Sequence, residues 1–303
     1  MSVAQPKPRD VFSATLPMLS PKRAIPTAIA LVVIHLGALL AFVPACFSWW
    51  GVATAAFLFW LFGGIGITLG YHRLLTHRSL SVPRWLEYVI ITLGAFALQG
   101  GPLEWVSTHR KHHAHTDREG DPHDSNLGMG WAHIEWLYRN NQARVGPEEF
   151  ARWSPDLVND RYYQFLERYS IVLQLIFAMG LFVFGGMTML VWGFFVRLTV
   201  LYHCTWLVNS AAHASGYQSF RTNDRSTNCW WVALVAFGEG WHNNHHAFPS
   251  SARHGIRWFE FDLTWLTIRL LRALHIARNV KVPTPEMLAR LRLPQARRLR
   301  SIS

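Results

Sequence analysis

An all-α integral membrane protein with four transmembrane helices and a histidine-rich cytoplasmic cap is the architecture this sequence predicts. Three observations carry that prediction. The runs at 25–46 and 49–70 hold no Asp, Glu, Lys or Arg, and among those residue types the run at 170–213 holds only Arg197. A helix needs about 20 apolar residues to cross a bilayer. Eight of the sixteen histidines fall into three short clusters just past apolar stretches: His72 and His77; His109, His112 and His113; His242, His245 and His246. Lysine and arginine gather on the segments that hold these clusters and are sparse at the short turns between spans, which by the positive-inside rule puts both termini and the cap in the cytoplasm.

The bulk composition agrees. Half of the 303 residues are hydrophobic and 16% are charged, which argues against two soluble domains. A net charge of +11 would point to nucleic acid in a soluble protein. Here it marks anionic headgroups and cytoplasmic loops, and no nucleic-acid partner is expected. Cys46, Cys204 and Cys229 are scattered, implying neither a disulfide framework nor a thiolate metal site.

In chain order, residues 1–24 read as a cytoplasmic segment carrying Lys7, Arg9, Lys22 and Arg23. The first span, 25–46, is of bilayer length, so it reads as an anchor rather than a cleaved signal peptide. His35 is its only ionisable group. Phe47 and Ser48, flanked by Trp49 and Trp50, make a short interfacial turn into the second span, 49–70. Tyr88–Gly101 is too short to cross and reads as an interfacial or re-entrant helix, as does Trp230–Phe237. The long run divides into spans at 170–190 and 191–213, with a turn between Gly185 and Trp192. Trp258–His275 is amphipathic and suits a membrane surface. The membrane domain closes near residue 276. Residues 277–303 form a basic tail with Arg290, Arg292, Arg297, Arg298 and Arg300, read as solvated or weakly lipid-associated.

Imidazole is a good ligand for first-row metals. Eight ligands exceed the three or four that one zinc takes, so two adjacent metals and oxygen-activating di-iron chemistry are expected. Residues three and four apart share a helix face, which lets each HxxHH cluster converge from one helix. Asn209 and His213 stand four apart at the end of the fourth span. They add a ninth imidazole and an amide that acts directly or through water. His35, His203 and His275 read as packed or solvated residues, and His115, His123, His133 and His254 as neighbours of the clusters rather than ligands. Asp117, Asp121, Asp124, Asp224 and Glu239 flank the clusters and are placed to accept imidazole N–H groups.

From about Leu69 to Arg272 the chain resembles the membrane fatty acyl desaturases of delta-9 type. The resemblance is carried by the ordered segments HRLLTHRS, LQGGPLEWVSTHRKHHAHTD, GDPHDSN, TWLVNSAAH and GEGWHNNHHAFP. It is closest to the cyanobacterial-type acyl-lipid enzymes. The resemblance implies two irons held by His72, His77, His109, His112, His113, His213, His242, His245 and His246, with Asn209 acting through water. It implies a cis double bond made with O₂ as co-substrate, in an acyl chain held at a kink by Gln99, Trp105, Thr205 and Trp206. Acyl-CoA members carry polar or basic residues where this chain has Gly100 and Ser107, which favours a lipid-linked chain over the acyl-CoA alternative. With no cytochrome b5 domain or dinucleotide motif in the sequence, a separate donor such as ferredoxin or cytochrome b5 is expected. A di-iron hydroxylase or ketolase is the alternative enzyme. A membrane metal transporter is the alternative outside enzymes, and would place its ligands along a mid-bilayer pathway.

Overall fold

The computed structural model describes residues 21–139 and 145–294, with side chains from Ile25 onward. The expected basic residues Lys7, Arg9, Arg297, Arg298 and Arg300 lie outside the described residues. Among those described, the protein is helical, with isolated antiparallel bridges and no strand.

Three helices are long and apolar enough to cross a membrane: Ile25–Phe42, Trp49–Thr76 and Arg161–His213. Helix α1 (Pro21–Leu39) ends in 3₁₀ turns that run to Cys46. The Ser48 hydroxyl then caps α2 (Trp49–Thr76) by accepting from the Trp50 N–H at 3.2 Å. From Trp60 onward α2 is wound with π geometry. The helical stretch Arg161–His213 is interrupted at Gly186 (φ 64°, ψ −164°), a conformation that glycine adopts readily. Leu181 lies against Gly193, so the chain reverses around that break, within the expected window Gly185–Trp192. The Trp192 indole donates to the Cys46 carbonyl at 2.9 Å and ties this hairpin to the first one.

Helix α3 (Arg84–Ala95) runs against α2, and Gly66 and Gly94 bring the two backbones together. A Cβ on Gly66 would collide with the Gly94 backbone, and one on Gly94 with the Tyr71 ring. The end of α3 leaves buried and part-buried carbonyls, and such acceptors need partners. The hairpin that follows supplies them. Arg197 donates to the Phe96 carbonyl at 2.8 Å, Tyr202 to Leu98 at 2.8 Å, and Gln174 to Ala95 at 3.4 Å. The Arg197 guanidinium stands 4.9 Å from the Phe62 ring centroid, a cation–π contact, and no carboxylate pairs with it among the described residues.

Helices α4 (Pro102–His115), α5 (Arg161–Leu190) and α6 (Arg197–Asn209) follow, then the short helices α7 (Trp230–Val235) and α8 (His242–Ala247) and the amphipathic α9 (Leu263–Ala273). Thr264 of α9 hydrogen-bonds Thr68 of α2 at 2.6 Å. Leu266 and Leu270 on α9, with Trp258, Phe259 and Phe261 before it, remain exposed.

Candidate metal centre

Each histidine cluster is aimed by its neighbours in sequence. In α4, His109, His112 and His113 share one side. Arg110 turns the other way, to the Leu75, Thr76 and Trp153 carbonyls and the Asp156 carboxylate. The N-terminus of α4 is held by Glu167, whose carboxylate accepts from the Leu103 and Glu104 N–H groups at 2.8 and 3.1 Å. In α8, the two asparagines between the histidines do the anchoring. Asn243 accepts from the Ser219 and Phe220 N–H groups, and Asn244 binds Asn228, Glu260 and the His254 carbonyl. The three α8 histidines are thereby left facing inward.

They converge on two groups. His72, His77, His109, His113 and His245 form one; His112, His213, His242 and His246 form the other. Within each group every residue offers a ligand atom within 4.8 Å of the rest, so each is able to hold a metal ion. Nε2 separations are 3.2 Å for His72–His245, 3.0 Å for His113–His245 and 3.1 Å for His109–His113. In the second group they are 3.0 Å for both His213–His242 and His242–His246. Metal–imidazole bonds of about 2.1 Å separate neighbouring ligand nitrogens by roughly 3.0–3.4 Å, so the spacing fits coordination. Nε2 of His77 and of His112 are buried with no hydrogen-bond partner, as atoms reserved for a metal would be. Burial, then crowding by neighbouring imidazoles, pushes His109, His112, His113, His242 and His245 well below the ordinary histidine value. They are therefore neutral near pH 7, the form that binds metal.

Carboxylates orient several of the rings. Nδ1 lies 2.7 Å from Glu239 in His72, 2.9 Å from Asp121 in His112, 3.1 Å from Asp117 in His213 and 3.0 Å from Asp224 in His246. Such contacts fix the ring and leave Nε2 for the metal. Asp124 does not take part and caps a turn at Asn126 instead. Glu239 also pairs with the buried Arg73, which reaches Asp262 as well and so joins α2 to the chain around both α8 and α9.

Of the histidines set aside in the sequence, two lie against the groups: the His123 ring is 4.2 Å from that of His112, and the His254 ring is 4.5 Å from that of His245, with its Nδ1 3.2 Å from Glu239. His115 packs on Trp153, and His275 is exposed. His35, His203 and His133 are not isolated at all: they hydrogen-bond to one another. The available signal was that His35 is the one ionisable residue of the first apolar run.

Two cavities meet at these groups. The narrow one runs along Gly63, Ile67, Leu201 and Phe237, and the larger, of about 440 Å³, reaches α1 and α5. Trp105, His109, Thr205 and Asn209 line both. Gln99 and Trp206 line the larger one, so the four expected kink residues stand together around the junction. Gln99 donates to the Thr205 hydroxyl at 2.9 Å and accepts from the Trp105 indole at 3.3 Å.

Residues 47–278 match the family model for fatty acid desaturases. The chain is 53% identical over 249 residues to an sn-1 stearoyl-lipid 9-desaturase of Anabaena variabilis, covering 82% of this chain and 90% of the relative. It is 50% identical over 256 residues to an enzyme of the same description from Synechocystis sp., with coverage of 84% and 80%. An acyl-CoA 5-desaturase of Anemone leveillei is 46% identical over 243 residues, with coverage of 80% and 75%. The match runs through all three histidine clusters, and the chain belongs to the fatty acid desaturase family.

Proposed function

We propose that this desaturase is an O₂-dependent di-iron enzyme that makes a cis double bond, at the delta-9 position, in a lipid-linked saturated acyl chain. The observation that carries this reading is the pair of imidazole groups beside a narrow, mostly apolar cavity that shares Trp105, His109, Thr205 and Asn209 with a larger one. Two irons held by the nine histidines, with Asn209 beside them through water, would supply the O₂-derived oxidant that unactivated C–H bonds require. The residues do the rest. Gln99, Trp105, Thr205 and Trp206 hold the acyl chain bent so that one carbon pair stands next to the metals, which is catalysis by positioning. The aromatic and aliphatic lining excludes water from that pair.

Two features support a lipid carrier. The relatives named above from Anabaena and Synechocystis are lipid desaturases. The lining of the larger cavity includes no lysine or arginine among the described residues, so it offers no cation to the phosphates of CoA. The Gly186 break supports four spans, since each limb of the hairpin is about 35 Å long at 1.5 Å per residue. Charge bias puts the histidine cap and both termini in the cytoplasm, where a separate ferredoxin or cytochrome b5 would deliver electrons.

The test is the fatty-acid profile of a desaturase-deficient host that expresses the protein, with double bonds located by dimethyl disulfide derivatisation. A delta-9 monoene that disappears in His245→Ala at equal protein level is the expected result. A hydroxylated or oxo product would move the enzyme to oxygen insertion. Bound iron without oxygen consumption would favour metal transport.

A further inference from the structure

Three histidines outside both metal-binding groups form one connected chain. Nε2 of His35 in α1 is 3.1 Å from Nε2 of His203 in α6. Nδ1 of His203 is 3.0 Å from Nε2 of His133, in the cap turn Trp131–Glu135. Nδ1 of His133 is 3.0 Å from the Ser210 hydroxyl, and at the other end Nδ1 of His35 is 2.7 Å from the Leu31 carbonyl. Three neutral rings carry one ring proton each. These suffice for the bonds from His133 to His203, from His203 to His35 and from His35 to the Leu31 carbonyl, while the Ser210 hydroxyl gives its own proton to the Trp206 carbonyl at 2.8 Å.

An ionisable side chain inside a membrane span is expensive and is a functional candidate by default. A proton path would need solvent at both ends, whereas this chain closes on a carbonyl of its own helix. It is a clamp, and what it clamps is the wall of the larger cavity. The rings of His203 and His133 stand 5.3 and 5.7 Å from the Trp206 ring, and Trp206 lines that cavity together with Leu31 and Ile34 of α1.

We propose that His35, His203 and His133 are positioning residues for regioselectivity. By fixing α1 against Trp206 they set which carbon pair of the acyl chain rests beside the metal-binding groups. This inference rests on the desaturase reading for its chemistry. Slackening the wall by about 1.5 Å, one carbon–carbon bond length, is enough to present a neighbouring pair.

The test compares wild type, His203→Ala, His203→Gln and His35→Ala in the desaturase-deficient host, at matched protein level. The readout is the double-bond position of the monoene. Wild type should give one isomer. His203→Ala should lose product by roughly tenfold to a hundredfold and add isomers with the bond one carbon away. His203→Gln, whose amide both donates and accepts, should return the single isomer. A purely structural role would lower yield without moving the bond, so alanine variants that make only the wild-type isomer overturn the proposal. Should His203→Ala fail to accumulate, His35→Ala breaks only the link to α1 and gives the same readout. A second measurement is independent of turnover: photo-crosslinking by a diacyl lipid carrying a diazirine at carbon 10. The crosslink should fall on the Trp206 peptide in wild type and spread in the variants; an unchanged pattern overturns the clamp. Wild type that crosslinks yet makes no monoene would sink the desaturase reading alone, with the crosslink pattern still deciding the clamp.

Discussion

Glu239 is a carboxylate that joins three side chains around the first imidazole group. It stands 2.7 Å from Nδ1 of His72, pairs with Arg73 and approaches His254. Glu239→Gln keeps the shape but removes the charge that orients His72. Iron affinity should fall about 10- to 100-fold, measured by metal analysis of protein dialysed against graded chelator. Wild-type iron retention would show that His72 is held by packing alone. Asn243 is a second supporting residue, because its amide serves the Ser219 and Phe220 backbone rather than a metal. Asn243→Ala leaves two buried N–H groups unmet and should cost about 1–3 kcal/mol for each, read as a lowered unfolding temperature. At this scale the sequence was largely legible. His spacing at three and four residues on a helix announces a shared face, and the two groups contain all nine expected histidines. The clamp of His35, His203 and His133 was not legible, because His35 and His203 are 168 positions apart and meet only when α1 packs on α6.

Among the elements, the crossing of α2 and α3 is the tightest. Gly94→Ala would push a methyl group into the Tyr71 ring and toward the Gly66 carbonyl. With backbone on one side, the repair is costly, about 1–3 kcal/mol. Tyr71 precedes His72, so iron content should fall along with thermal stability in detergent; unchanged stability would mean that α3 slides freely along α2. The three helices long and apolar enough to span could be read from hydropathy, since uncharged runs of bilayer length have few alternatives. The π winding of Trp60–Thr76 could not, because periodicity in an apolar, glycine-rich stretch does not distinguish five-residue from four-residue hydrogen bonding. Nor could the partners of the α3 terminus, which lie on residues some eighty to a hundred positions later.

For the whole molecule, metal, protons and folding are linked. His109, His112, His113, His242 and His245 titrate well below their ordinary value in the folded protein. In the unfolded chain they would take up protons near pH 6.5. The unfolded state therefore binds more protons below that pH, and stability must fall as pH drops from about 6.5 toward the folded values. Metal-stripped protein should lose unfolding temperature steeply between about pH 6.5 and 5, and iron, which binds the folded state, should raise the whole curve across that window. Coincident curves for the two forms would contradict coordination by these histidines. The capping of α3 by Arg197, Gln174 and Tyr202 also bears on biosynthesis. When α3 leaves the ribosome, the side chains that must accompany its buried end have not yet been made. Until they arrive, that end has to stay in water or in the keeping of the insertion machinery. The wall of the larger cavity, where Leu98 and Tyr202 are bonded to each other, is thus completed only after the chain as far as Tyr202 has been made.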